Sequence, residues 1–210
     1  MTNPHSHSRG GLPVGTRFLG GSVCLDFANT TEQLRSDRPY DWLTSYAILI
    51  AWSRARGTVE LEAVKRLADR AKRYPSAAKE AFERALIARH LIRDFAAALA
   101  DKKSVIEPVR HLNVLLERAP PQPAIEMPRK GTCGRFELPG DNPGEPLWPI
   151  LWSFTALSTS DDSSRVRRCE GRGCGYYFVD VTLNRSRRFC SSAGCGNRAR
   201  ARRHYQRQRS

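Results

Sequence analysis

Apolar residues recur every three or four positions through most of residues 42–119, and this period predicts a run of amphipathic helices. Thr44 or Ser45 can cap the first of them, with Tyr46 and Leu49 on its apolar face. Gly57 is placed to end it. This pattern indicates a helical rather than a sheet-based core.

Three further helices follow in the same stretch. Thr58 is placed to cap the second, Pro75 opens a long third, and residues 104–107 form a capping box for a fourth. The residues expected to be buried on the long helix are Phe82, Leu86, Leu91, Phe95 and Leu99.

Two other segments carry patterns typical of extended chain. Residues 124–127 and 133–138 can pair as a small hairpin. Val23, Leu25 and Phe27 alternate with other residues and would point one way in an extended segment.

A dense apolar run at 147–157 predicts a buried helix that starts near Pro146, and the polar stretch 158–164 after it marks a domain boundary. The fold class is therefore mainly α with some β (α+β). The predicted organisation is a disordered leader at 1–15, a helical domain with a small β-hairpin at 16–160, and a separate small module at 165–210.

Four of the six cysteines lie in that last module with the spacing C-x4-C-x15-C-x4-C. Two equal knuckles suit four thiolates around one tetrahedral ion, and soft thiolates favour a single structural zinc over an iron–sulfur cluster. Two disulfides are the alternative, but no secretory signal is found and a reducing compartment keeps thiols free. Cys24 and Cys133 are expected to be buried free thiols. The predicted ligands are Cys169, Cys174, Cys190 and Cys195.

The chain between the knuckles predicts a hairpin. Residues 176–181 are aromatic and β-branched, 183–186 are turn-like, and Arg188-Phe189 supplies the returning strand. With a basic helix after the last cysteine, this describes a treble-clef or ribbon-like zinc finger. On that helix Ala201 and Tyr205 form a narrow stripe that could dock onto the knuckle.

Charge is concentrated in the same module. Residues 165–210 hold 13 arginines, no lysine and two acidic residues, and so carry +11 of the net charge of +14. Clustered arginine on a fixed scaffold indicates phosphate binding, although a solvated basic tail is the alternative. The best candidates for nucleic-acid contacts are Arg187, Arg188, Arg198, Arg200, Arg202 and Arg203.

The module resembles the CGNR-type zinc finger, which takes its name from the residues that stand here as Cys195-Gly196-Asn197-Arg198. The resemblance extends to the first knuckle, the aromatic strand and the basic residues 200–204. Phe189 stands where the family usually has Trp. The resemblance implies a bacterial transcription regulator that binds DNA through this finger.

Residues 25–30, Leu-Asp-Phe-Ala-Asn-Thr, resemble the opening of the ABATE domain, which commonly precedes the CGNR finger and is described as a stress-induced regulatory domain. Two interpretations of its polar residues stay open. Asp26 and Asn29 tie down a helix end or turn, or they line an effector pocket near Trp148 and Trp152.

Duplex DNA is the leading partner, and a homodimer and a small-molecule effector are further expectations. RNA is the alternative, because Tyr176, Tyr177 and Phe178 could stack on unpaired bases. No nucleophile–base pair or catalytic metal motif occurs, so we expect no enzymatic activity. No apolar run is long enough to span a membrane, and we expect a cytoplasmic protein.

Overall fold

The computed structural model describes residues 12, 17–32, 40–41, 43–117, 119, 125–126, 135–136 and 138–209. Their helices are α1 (Val23–Ala28), α2 (Tyr46–Arg56), α3 (Leu61–Arg73), α4 (Pro75–Ala100), α5 (Ile106–Leu116), α6 (Trp148–Ser158) and α7 (Asn197–Arg207). Their strands form antiparallel pairs, β1 (Thr31–Glu32) with β2 (Tyr40–Asp41), β3 (Ile125–Glu126) with β4 (Arg135–Phe136), and β5 (Val166–Arg168) with β6 (Tyr177–Val179). The predicted fold class is confirmed.

Helix α2 has the predicted ends. The Ser45 hydroxyl accepts a hydrogen bond from the Ile48 amide at 3.3 Å, and Gly57 ends the helix in the left-handed region with φ of 78°. The predicted cap of α3 is wrong, because α3 begins three residues after Thr58. The Thr58 hydroxyl instead donates to the Ser53 carbonyl at 3.1 Å, which closes the turn after α2.

Helix α4 opens at Pro75 as predicted, but the prediction of its buried face was mostly wrong. Phe95 is buried, whereas the other four predicted residues pack only partly buried at the edge. α4 contacts α1, α2, α3 and α5, and small side chains let these helices approach it closely. The small residues of its buried face are Ala78, Ala81, Ala85, Ala88 and Ala96.

Helix α5 begins without the predicted capping box. The Ser104 hydroxyl accepts only from the neighbouring Ile106 amide, at 3.4 Å, and the residue at the cap position makes no side-chain cap. Leu112 faces inward as expected, and the two leucines after Val114 pack partly buried beside it.

Helix α1 stands where an extended segment was predicted, so that prediction was wrong. Its first turn is capped by the Ser22 hydroxyl, which accepts from the Leu25 amide at 3.4 Å. Odd- and even-numbered residues of α1 are both buried, because α1 contacts both α4 and α6. Cys24 lies there as a fully buried free thiol, as expected.

Two predictions for the second half of the helical part are confirmed. β3 and β4 pair with Ile125 opposite Phe136, which is the predicted hairpin. A short 3₁₀ turn at Glu145–Leu147 leads into the buried helix α6. The predicted leader, residues 1–15, lies outside the described residues apart from Leu12, and Cys133 also lies outside them.

The finger hairpin differs from the prediction in its partner strand. β6 pairs with β5, which precedes the first knuckle, and not with Arg188-Phe189. The knuckle itself is the loop of the hairpin, since the Cys169 amide donates to the Tyr176 carbonyl at 2.8 Å.

This hairpin of β5 and β6, here called the shared hairpin, belongs to two cores at once. Val166, Tyr177 and Val179 pack into the core formed by the helices. Phe178, on the opposite face of β6, packs against three of the clustered cysteines. The alternation of side chains along a strand therefore joins the finger to the helical part.

None of the helices among the described residues is both long enough and apolar enough to cross a membrane.

Candidate metal centre and arginine surface

The four predicted cysteines meet at one point. Cys169 follows β5, Cys174 precedes β6, and Cys195 lies in a π-helical turn, Ser192–Gly196, that leads into α7. One sulfur from each residue lies within 4.8 Å of the others, and all but Cys174 are buried.

The spacing of the sulfurs fits zinc. Tetrahedral zinc with Zn–S bonds of about 2.3 Å requires sulfurs about 3.8 Å apart. The Cys174 and Cys190 sulfurs are 3.8 Å apart, and the Cys190 and Cys195 sulfurs are 3.7 Å apart. Both separations are far longer than a disulfide bond, and the cysteines are free thiols. The cluster is a site for one structural zinc ion.

Hydrogen-bond donors outside the sulfur cluster stabilise negative charge on two of the four sulfurs. The Cys190 amide donates to the Cys169 sulfur at 3.3 Å, and Arg198 donates to the Cys195 sulfur at 3.0 Å. Hydrogen bonds from Cys174 and Cys190 lower the pKa of Cys169, and the same contacts raise the pKa of both donors. Four thiolates at this distance therefore need a divalent cation to balance their charge.

Close packing inside the first knuckle requires a glycine. A β-carbon at Gly171 would lie 2.7 Å from the Cys195 sulfur and 3.4 Å from the Cys169 sulfur. At Gly194, in the second knuckle, a β-carbon would come no closer than 3.4 Å to the Ser191 hydroxyl. The two knuckles therefore differ in how tightly their backbones enclose the metal site.

Arg187, a predicted nucleic-acid contact, is engaged within the finger. Its guanidinium donates to the carbonyls of Phe189 at 3.1 Å and Cys190 at 2.5 Å, and it lies 4.3 Å over the ring of Phe178. The same residue gives its backbone amide to buried Asp180 at 3.0 Å. Arg187 thus holds the second knuckle against β6.

Asp180 organises the turn between β6 and the second knuckle. It accepts from the amide and hydroxyl of Thr182 as well as from Arg187. Burial by itself would raise the pKa of Asp180, but these hydrogen bonds outweigh it and hold the pKa below its usual value.

The other predicted arginines fall into two groups. Arg188 pairs with Glu170 and Arg200 donates to Ser192 and Asn197, so both have partners at the finger surface. The side chains of Arg202 and Arg203, on α7, make no hydrogen bond or ion pair with any part of the chain that the structure describes.

Five arginines converge on a cavity of about 220 Å³ beside the zinc site, here called the arginine cavity. One of them, Arg172, was missed by the sequence analysis, although its place between the first two cysteines was a usable signal. Glu170 is the acidic residue of this lining. The arginines are Arg172, Arg188, Arg198, Arg202 and Arg203.

Beyond the cavity, α7 is exposed and has no buried residue. Tyr205 is 65% exposed and Ala201 is also exposed, so the predicted docking of this stripe onto the knuckle is wrong. Ala199, two residues before Ala201, is partly buried and lines the arginine cavity on the side of the zinc site.

Two of the three aromatic residues predicted to stack on RNA bases are buried, whereas the third, Tyr176, is only partly buried beside the cysteines. Tyr177 is buried in the helical core and Phe178 beside the cysteines, so neither ring can meet a base.

The four residues predicted for an effector pocket lie on or beside the helices α1 and α6. The Asn29 amide side chain donates to the Tyr177 carbonyl at 2.8 Å and accepts from the Tyr177 amide at 2.9 Å. Trp152 is buried in α6 and Trp148 is half-buried. Since Asn29 is engaged with β6, it acts as a tie between the helical part and the shared hairpin, and the effector pocket stays a prediction.

Asp26 is likewise engaged within the chain. Its carboxylate accepts from the Gly20 amide at 2.7 Å and pairs with Arg56 at 2.7 Å. Burial raises the pKa of Asp26 above its usual value, although both partners oppose the shift. The Gly20 carbonyl in turn accepts from the Val179 amide at 2.9 Å.

A mainly helical chain that ends in a four-cysteine metal cluster and an arginine-rich helix defines a zinc-finger protein with an attached helical domain. The model of the ABATE family, described as "Putative stress-induced transcription regulator", matches residues 21–161, and the chain belongs to this family. The model of the CGNR zinc finger matches residues 165–208. Both resemblances noted in the sequence are confirmed. No curated protein matches the chain.

Proposed function

We propose that this protein is a transcription regulator that binds duplex DNA through the arginine cavity and α7. The observation that carries the proposal is the convergence of five arginines on one cavity against the zinc site. Forked guanidinium groups suit phosphate oxygens, and the zinc-fixed knuckles hold the backbone that presents them.

In this proposal zinc is structural. Four thiolates complete a tetrahedral ion and leave no open position for water, so we propose that the protein acts by binding and not by catalysis. A thiolate site is also suited to a reducing compartment, which supports a cytoplasmic location.

Arg202 and Arg203 are the leading contacts in α7, because their side chains have no partner among the described residues. Most contacts would hold phosphates, with a minority reading base edges. The helical part would sense a signal or dimerise, and the shared hairpin offers a direct path from it to the finger.

Binding can be measured by fluorescence anisotropy with the zinc-loaded full chain and a labelled 20-base-pair duplex over a series of salt concentrations. We expect Arg202→Ala/Arg203→Ala to weaken binding and to flatten the salt slope by about two units, one for each lost phosphate contact. Arg73→Ala/Arg110→Ala, on exposed positions of α3 and α5, removes the same charge and should leave the slope nearly unchanged.

Equal effects of the two double variants would mean that the contacts are not on the finger. Single-stranded RNA of the same length, added as competitor, tests the alternative partner. Displacement of the duplex by RNA at a lower concentration than by unlabelled duplex would contradict DNA as the target.

A further inference from the structure

One carboxylate lies within the most basic surface of the protein. Residues 165–210 contain only two acidic residues, Glu170 and Asp180. Asp180 is fully buried and holds the turn before the second knuckle. Glu170 is therefore the solvent-accessible carboxylate of the finger, and it lines the arginine cavity.

Glu170 is paired with one arginine of this cavity. Arg188 donates a hydrogen bond from Nε to Glu170 Oε2 at 2.7 Å, and its terminal nitrogen Nη2 lies 2.5 Å from the same oxygen as an ion pair. The Glu170 amide also donates to the Arg188 carbonyl at 3.0 Å, so the two backbones are held side by side. The pairing therefore follows from the knuckle itself and does not depend on two long side chains meeting by chance.

This pair is poorly suited to a stabilising role. The side chains of Arg188 and Glu170 are 62% and 47% exposed, and exposed ion pairs add little to stability. Arg188 also has its guanidinium 5.9 Å over the Phe189 ring, which positions it at the cavity edge without the carboxylate. Glu170 therefore acts mainly by lowering the positive charge of the arginine cavity.

We propose that Glu170 is an internal competitor for phosphate: its carboxylate occupies Arg188 and opposes the entry of a backbone phosphate into the arginine cavity. Because of this carboxylate, the protein binds nucleic acid of arbitrary sequence more weakly than it would with the arginines alone. This inference rests on the proposed function, since it assigns the cavity to a phosphate of the bound nucleic acid.

The test is Glu170→Gln in the zinc-loaded full chain, measured by anisotropy with a duplex of arbitrary sequence at several salt concentrations. Gln keeps the size of the side chain and removes the charge. We expect binding about three- to tenfold tighter and a salt slope steeper by about one unit, because Arg188 becomes free to neutralise a phosphate.

Asp101→Asn is the matched control. Asp101 pairs with Arg168 at 2.8 Å, with the side chains 36% and 32% exposed, and it does not line the arginine cavity. The control makes the same change in net charge, so we expect less than a twofold change in affinity and an unchanged slope.

A double-mutant cycle adds a second readout. Arg188→Ala leaves the Glu170 carboxylate without its partner in the cavity and should weaken binding, whereas the double variant with Glu170→Gln should bind about as tightly as the wild type, because it has no freed arginine to neutralise a phosphate. Zinc content, measured with a colorimetric chelator after denaturation, checks that all variants retain one metal ion.

Equal effects of Glu170→Gln and Asp101→Asn would overturn the inference, because net charge alone would explain them. Weaker binding by Glu170→Gln would also overturn it and would make the carboxylate a direct contact to the nucleic acid. If the wild type binds the duplex and the variant is unchanged, only this inference fails. If the wild type binds no nucleic acid, the proposed function fails with it.

Discussion

The contact between Asn29 and Tyr177 ties the helical part to the zinc finger, and its removal is the most informative perturbation of the fold. β5 covers one edge of β6 through Phe178. On the other edge the Asn29 side chain takes both the amide and the carbonyl of Tyr177, at 2.9 and 2.8 Å. The Asn29 side chain thus makes with Tyr177 the two hydrogen bonds that a neighbouring strand would make.

Asn29→Ala removes both hydrogen bonds and leaves two backbone groups of buried Tyr177 without partners. Each unsatisfied buried group costs about 1–3 kcal/mol. The free energy of unfolding should therefore fall by about 2–5 kcal/mol. Asn113→Ala, at an exposed position of α5, is the control and should change it by less than about 0.5 kcal/mol.

Urea unfolding followed by two signals measures the effect. All four tryptophans precede residue 153 in the sequence, so their fluorescence reports the helical part. Zinc release to a colorimetric chelator reports the finger. Because the shared hairpin packs into both cores, Asn29→Ala should shift both transitions to lower urea together.

Easier zinc release with an unchanged tryptophan transition would contradict this reasoning. It would mean that the helical part does not depend on the shared hairpin and that the two cores unfold independently. A fall in stability below about 1 kcal/mol would instead show that water replaces the lost amide at this edge of β6.

Two further predictions concern single sites. Gly171→Ala should weaken zinc binding by at least tenfold in a chelator competition, because its β-carbon would lie 2.7 Å from the Cys195 sulfur, while Gly194→Ala should bind zinc normally. Arg56→Ala should lower the free energy of unfolding by about 2–3 kcal/mol at pH 8, since it leaves the buried Asp26 carboxylate without its charge partner. The pKa of Asp26 is already raised in the folded state, so the loss should shrink as the pH is lowered from 8 and Asp26 takes up a proton. A loss that stays equal down to the pH of acid unfolding would contradict a charged Asp26 as its cause.

Features governed by local chemistry were predictable from the sequence. The four zinc ligands follow from two knuckles of equal spacing, and the ends of α2 follow from Ser45 and Gly57. A cap or a ligand knuckle depends on residues within a few positions of one another, so the linear pattern contains the needed information.

Some local signals failed because another part of the chain competed for the same groups. Thr58 resembles a helix cap, but its hydroxyl is engaged with the Ser53 carbonyl of the preceding helix. Arg187 looks like its neighbour Arg188 in the sequence, yet its guanidinium is engaged with carbonyls of the finger. Sequence shows which donors exist and not which acceptors will reach them.

By itself, the sequence determined that the chain is mainly helical and ends in a zinc-binding, arginine-rich module. Only the tertiary structure decided that β6 pairs with β5, that Asn29 binds the backbone of Tyr177 across 148 positions of sequence, and that five arginines and Glu170 share one cavity. The physical reason is that periodicity, caps and ligand spacing act between near neighbours, whereas edge pairing and charge convergence depend on which distant surfaces the folded backbone brings into contact.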